Sequence, residues 1–130
     1  MIENSPYWEG LGVQVEATPT DGVKLRVPYQ DGNSNPGKAL HGGVAASMIR
    51  IAGNLAAWKA MDPGTVLDLD ARTLDLSVNY LSAAIGEDIV ADARVLRRGK
   101  ELVYVAVTVA TDAGKPIATG LVTARFAPCA

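Results

Sequence analysis

Apolar and polar residues alternate along most of this chain, with one long exception near its middle. Leu11–Ala17 (LGVQVEA) alternates, the mark of a strand with one buried face. Thr18–Gly22 (TPTDG) is turn chemistry. Val23, Leu25 and Val27 then alternate with Lys24 and Arg26, so a second strand pairs back as a hairpin. Ahead of both, Met1–Gly10 reads as an irregular lead or short helical turn that tucks Tyr7 and Trp8 against the body. Gln30–Lys38 (QDGNSNPGK) is dense in Gly, Asn, Asp and Pro and reads as a loop.

The exception runs from Gly42 to about Ala60. It is rich in Ala, and Val44, Met48, Ala52 and Leu55 recur at helical spacing. Asp62-Pro63-Gly64 stops it. The wide apolar girth predicts burial on most sides. Strand patterns then return. Leu67–Leu81 places Leu74, Leu76, Val78 and Tyr80 on one face and Thr73, Asp75, Ser77 and Asn79 on the other. Ile85–Arg97 follows, with a turn at Gly86, and Arg98-Gly99-Lys100 makes a tight hairpin. Leu102–Thr111 is strongly β-branched, Asp112–Lys115 turns, and Ile117–Phe126 is the last strand. Two strands, one helix and four strands do not alternate, which disfavours a doubly wound sheet. An α+β domain with an antiparallel sheet wrapped around one central helix fits.

At 130 residues the chain is expected to be a single domain over 1–130. Hydrophobic residues at 48% and charged residues at 20% place it among globular proteins. A net charge of -2 argues against a nucleic-acid surface driven by bulk charge. With no leader and no apolar run of bilayer length, a soluble cytoplasmic protein without membrane partners is expected. Cys129 stands alone, so no intrachain disulfide or Cys-rich zinc site can form. With no neighbouring base in sequence it is also a poor nucleophile. His41 is the single histidine, which excludes a two-histidine metal site. Every histidine-dependent step must therefore use it. No metal and no cofactor is expected.

The candidate chemistry gathers at Asn35, at His41-Gly42-Gly43 and at Arg50. The glycines open the helix, where free backbone N–H groups and the positive end of the dipole can bind an anion or polarise a carbonyl. They also let a ligand approach the backbone closely. His41 precedes that mouth, and Asn35 brings an amide to it. The plainer alternative is a glycine pair that permits a turn, a histidine that caps a helix, and a loop asparagine that satisfies its own turn.

Asn35-Pro36-Gly37-Lys38-Ala39-Leu40-His41-Gly42-Gly43-Val44, then Thr73–Leu81 (TLDLSVNYL), Gly86–Val90 (GEDIV) and Gly114–Gly120 (GKPIATG) resemble the hotdog-fold acyl-CoA thioesterases. The type is that of phenylacetate degradation, akin to the 4-hydroxybenzoyl-CoA thioesterases. The resemblance runs from about Leu11 to Phe126. It implies a hotdog fold, a homodimer or homotetramer with active sites between subunits, and hydrolysis of an acyl-CoA thioester to an acid and free CoA. CoA is then part of the substrate. It further implies that the Gly43 amide polarises the thioester carbonyl, beside Gly42, while His41 and Asn35 hold the thioester and the attacking water. Thr73 would assist from the neighbouring subunit. Asn54 becomes a pocket candidate, and Arg97, Arg98 and Lys100 would lie near the CoA phosphates. A solvated hairpin tip is the alternative for those three. Trp58, Met48, Ala45 and Ala46 hint at small and apolar pocket walls.

The family's helix carboxylate, nine residues after the histidine, is Arg50 here. An arginine stays protonated and cannot act as a base. Four readings stay open. His41 activates water, or one of Asp68, Asp70 and Asp75 does. Arg50 recognises a carboxylate on the acyl group or stabilises an oxyanion. The site binds acyl-CoA without turning it over. Or Arg50 is structural, part of a polar stripe of Ala46, Arg50, Asn54 and Ala57, paired with an acid across an interface. The alternative functions are a non-catalytic acyl-CoA or acyl-carrier binding protein, a hotdog dehydratase, whose loop–helix pattern is missing here, and an interaction module with an occluded pocket.

Overall fold

The computed structural model describes residues 10–34, 37, 39–61 and 69–128. The expectations for Tyr7 and Trp8, Asn35, Asp62-Pro63-Gly64, Asp68 and Cys129 lie outside the described residues. Six strands and one long helix follow in the order β1 (Gln14–Ala17), β2 (Gly22–Val27), α1 (Gly42–Ala60), β3 (Leu69–Tyr80), β4 (Ile89–Arg98), β5 (Leu102–Thr111) and β6 (Pro116–Pro128). They form one sheet in the order β1-β2-β4-β5-β6-β3, antiparallel at every step. This is the expected hotdog arrangement.

The alternation decides which face meets the helix. Val23, Leu25 and Val27 of β2, Val103, Val105, Val107 and Val109 of β5, and Ala118, Val122 and Phe126 of β6 are all buried. Each of these Val, Leu and Phe side chains contributes about 1.5–3 kcal/mol when fully removed from water. Helix α1 buries Val44, Met48, Ile49, Ala52 and Ala56 against this layer. Small residues bring it close. A Cβ at Gly53 would lie 2.6 Å from a Val122 methyl, and one at Gly120 would lie 2.8 Å from Ile49. At the helix end, Lys59 Nζ donates to the carbonyl of Gly22 at 3.0 Å and to that of Pro19, which ties α1 to the β1–β2 turn.

Three strand expectations change. Leu11 is helical and Gly12 turns the chain at φ 72, so β1 begins only at Gln14. All four β1 residues are exposed, so the expected half-buried face is missing. β4 starts at Ile89 rather than Ile85. Gly86 sits at φ 63, Ile85 makes only an isolated bridge to Ala39, and the Asp88 carboxylate accepts the N–H of Tyr29 at 2.8 Å.

The third change matters most for function. β3 pairs Thr73 with Ala124, then Asp75 with Thr123, so the register slips between them. Such a bulge sends the residues on either side to opposite parities. Thr73 therefore faces the helix, as do Leu76, Val78 and Tyr80 beyond the bulge. Asp75, Ser77 and Asn79 take the outer face. The sequence pattern had put Thr73 with that outer group.

On the outer face, Arg26 joins Glu16 at 2.7 Å, Asp112 at 2.6 Å and Asp88 at 3.2 Å. The hydrogen bonds it donates to Asp112 and then to Glu16 raise its pKa further, so it stays charged at every working pH.

Candidate functional site at the start of the helix

The loop enters α1 through His41, whose extended backbone (φ -63, ψ 132) makes it the N-cap. Its Nδ1 accepts the N–H of Gly43 at 2.9 Å. Nδ1 thus holds a lone pair, and the neutral ring carries its proton on Nε2. His41 and Gly43 are both exposed. The Gly43 amide, read from sequence as a carbonyl-polarising donor, is therefore in use by the imidazole in the free chain. A ligand carbonyl must displace the ring to reach it.

Tyr80 closes one side of this mouth. Its hydroxyl donates to the carbonyl of Gly42 at 2.8 Å, and its ring carbons lie 3.4–3.5 Å from where a Gly42 Cβ would be. Sequence reasoning put Tyr80 on an apolar face but gave it no place at the site. The signal was its position at the end of a helix-facing strand.

Arg50 follows on the same helix. It is exposed, and among the described residues it makes no hydrogen bond or ion pair. Of the expected stripe, Ala46 and Asn54 are half-buried but Ala57 is fully buried. The open face instead runs Gly43, Ala46 and Ser47, Arg50, Asn54 and Trp58. Met48 and Ala45, named as pocket walls, are buried in the core.

Thr73 and Asn54 meet. Asn54 Nδ2 donates to Thr73 Oγ1 at 2.9 Å, and the Thr73 hydroxyl lies 3.1 Å from Asn54 Oδ1. This pair stands about 16 Å along the helix from Gly43, at 1.5 Å per residue. Within one chain it cannot share a thioester with His41. Removing one partner leaves the other's polar group half-buried and unpaired. A double-mutant cycle of Thr73→Val and Asn54→Leu, read by urea unfolding, is expected to give a coupling of about 1 kcal/mol.

The basic hairpin lies elsewhere. A cavity of about 360 Å³ is lined by Arg97, Gly99, Lys100, Glu101, Leu102 and Tyr104. Arg98 is not among its walls. At the C-terminal end of α1, Ala56, Lys59 and Ala60 line a pocket with Val95. The outgoing end of β4 is therefore beside the end of the helix. Most of the helix's length, about 28 Å for nineteen residues, separates the hairpin from Gly43 of the same chain. Among the described residues, no group of three or more His, Cys, Asp or Glu side chains could hold a metal ion.

The sequence pattern of the thioesterase superfamily matches residues 37–118, from just before the helix to the start of β6. The chain belongs to the thioesterase superfamily. A putative esterase of Halobacterium salinarum is 39% identical over 106 residues, covering 79% of this chain and 68% of that protein. Human acyl-coenzyme A thioesterase 13 is 33% identical over 102 residues, covering 75% and 68%. Among solved structures, a thioesterase family protein from Silicibacter pomeroyi superposes with a TM-score of 0.88 at 24% identity, over 98% of this chain and 93% of that one. A thioesterase from Pseudomonas aeruginosa, in mutant form, gives 0.87 at 22% identity, over 98% and 88%. At those identities the likeness is one of fold, the thioesterase hotdog. No helix among the described residues of this superfamily member is long and apolar enough to cross a membrane.

Proposed function

We propose that this protein hydrolyses an acyl-CoA thioester to a carboxylic acid and free CoA, as its resemblance to the phenylacetate-degradation and 4-hydroxybenzoyl-CoA thioesterases implies. The observation that carries the reading is the exposed His41–Gly43 pair at the helix start of a thioesterase-superfamily chain. The thioester oxygen takes the Gly43 N–H, where the helix dipole favours developing negative charge. That frees the Nδ1 lone pair of His41. Water attacks the carbonyl carbon while His41 Nδ1 takes its proton. The C–S bond then breaks, and the departing thiolate takes a proton from the imidazolium. Among the described residues, no carboxylate lies on the helix face beside Gly43, and Arg50 cannot accept a proton.

The catalytic unit in this proposal is a homodimer built through β3. That twelve-residue strand is an edge of the sheet, and its helix-facing side is open: Leu76 is 38% and Tyr80 58% exposed. A long uncovered edge of this kind is a template for pairing with a second chain. Its Tyr80 end touches Gly42, and its Thr73 end touches Asn54. Antiparallel pairing about the strand's middle reverses the ends. It brings the partner subunit's Thr73, and beyond it the partner's basic hairpin, toward the His41–Gly43 mouth. This supports reading the Arg97 and Lys100 cavity as a seat for the CoA phosphates, with Tyr104 beside it. Arg97→Ala with Lys100→Ala is expected to raise KM for acyl-CoA about tenfold or more, since a charge-assisted contact is worth about 1.5–3 kcal/mol, while kcat changes little.

The direct test is release of free thiol from a panel of aromatic, medium-chain and dicarboxylic acyl-CoAs. Turnover of at least one supports hydrolysis. Binding of CoA esters without any turnover supports the second reading, an acyl-CoA binding protein on a thioesterase scaffold. The observation that favours that alternative is that α1 carries no carboxylate at all, with Arg50 on its open face.

A further inference from the structure

We propose that Arg50 is a specificity residue: it holds a carboxylate at the far end of a short acyl chain, so the substrates are thioesters of dicarboxylic acids. The inference rests on the thioesterase reading above and adds the class of acyl group.

Position comes first. Arg50 follows Gly43 by seven residues, about 20° short of two full turns, so both share one face of α1. The rise between them is about 10 Å. Helical side chains lean toward the N-terminus, so the position of Arg50 puts Gly43 within the direction its long side chain can take. Ala46 and Ser47 lie between them. The Ser47 hydroxyl donates to the carbonyl of Gly43 at 2.8 Å, turned into the helix backbone. A short acyl chain lying from Gly43 toward Arg50 would meet a methyl group and little else.

Charge comes second. Arg26, Arg94 and Arg125 each hold a carboxylate within 3.2 Å, and Arg72 and Arg98 are engaged as well. Arg50 has no such partner among the described residues, a state it shares only with Arg97 of the basic hairpin. Lys59 is the only other charged residue of α1, and it is spent on the carbonyls of Pro19 and Gly22 at the far end. A single open guanidinium thus stands on an otherwise uncharged face, two turns from the carbonyl-binding amide. Guanidinium matches carboxylate in a planar two-bond fork and stays charged throughout the working pH range.

The experiment compares esters matched in length: glutaryl-CoA with pentanoyl-CoA, and adipyl-CoA with hexanoyl-CoA, by thiol release. The wild type is expected to favour the dicarboxylic member of each pair at least tenfold in kcat/KM. Arg50→Met should bring that ratio close to one, with the loss falling mainly on KM for the dicarboxylic ester. Arg50→Lys should keep part of the preference, because the ammonium supplies charge without the fork. A wild-type ratio of one or less, or a ratio that survives in Arg50→Met, overturns the proposal. So does a loss of dimer in Arg50→Met with no change in ratio, which would make Arg50 an interface ion pair. Binding of the same chains as inert thioether analogues, read by calorimetry, separates this inference from the hydrolase reading. If no ester releases thiol, hydrolysis fails. A tenfold tighter, Arg50-dependent binding of the dicarboxylic analogue would still uphold the role of Arg50, and its absence would sink it.

Discussion

Replacing His41 with asparagine is expected to lower kcat for thiol release by about 10²–10⁴-fold, the range for loss of a positioned general base, while leaving the fold intact. The choice of asparagine is what gives the experiment its force. His41 has two tasks in the structure. It caps the helix by accepting the Gly43 N–H through Nδ1, and it supplies an imidazole lone pair at the helix mouth. Asparagine fills an N-cap as well as any residue and better than histidine, so the cap survives and stability holds or rises by a few tenths of a kcal/mol. Alanine loses both functions. His41→Ala is expected to show the same drop in kcat together with a loss of about 1 kcal/mol in urea unfolding. Were His41 only a cap, the asparagine variant would keep full activity and only alanine would suffer. A histidine at a position where asparagine serves better as a cap is itself an argument that the ring is used for its proton chemistry.

Much of this architecture was legible in the hydrophobic pattern. The helix runs Gly42–Ala60, as its apolar spacing predicts, and β5 occupies Leu102–Thr111, as its β-branched run predicts. Period and length are local properties, so a local pattern carries them. The bulge between Thr73 and Asp75 was not legible. No glycine or proline marks it, and only pairing with β6 defines it. Because of that slip, strand parity assigned Thr73 to the wrong face, and its contact with Asn54 could not be foreseen. The site shows the same division. Gly42-Gly43 at a helix start and an arginine at position 50 are sequence facts. That His41 turns Nδ1 onto Gly43, and that Tyr80 lies over Gly42, depend on the sheet's path around the helix.

Gly120 carries a signal that could have been weighed more heavily, since an isolated glycine inside a strand often marks close backbone approach. Gly120→Val is expected to be the most destabilising of the substitutions considered, by about 3 kcal/mol, at the upper end of the overpacking range. A Cβ there would sit 2.3 Å from the carbonyl oxygen of Ser77 on β3 and 2.8 Å from Ile49 on α1. Gly53 faces a similar squeeze, but its neighbour is the Val122 side chain, which can shift. The Ser77 carbonyl belongs to the β3–β6 ladder and cannot move without straining pairs on both sides. The entropy gained by restricting the unfolded chain, about 0.4–1 kcal/mol, offsets only part of the cost. Gly32→Ala is the control. Nothing lies within 4 Å of its added Cβ, so stability should stay within about 0.5 kcal/mol. The consequence extends past stability. Ser77 lies between the Thr73 and Tyr80 ends of β3, the strand whose free edge is proposed to join two subunits. A side chain wedged at Gly120 is expected to push that edge outward and tilt Tyr80 off Gly42. At subdenaturing urea, Gly120→Ala should therefore lose dimer by sedimentation, and thiol release with it, before its far-UV circular dichroism changes. Unfolding and dissociation that instead coincide at one urea concentration would show that β3 has no separate role in assembling the site.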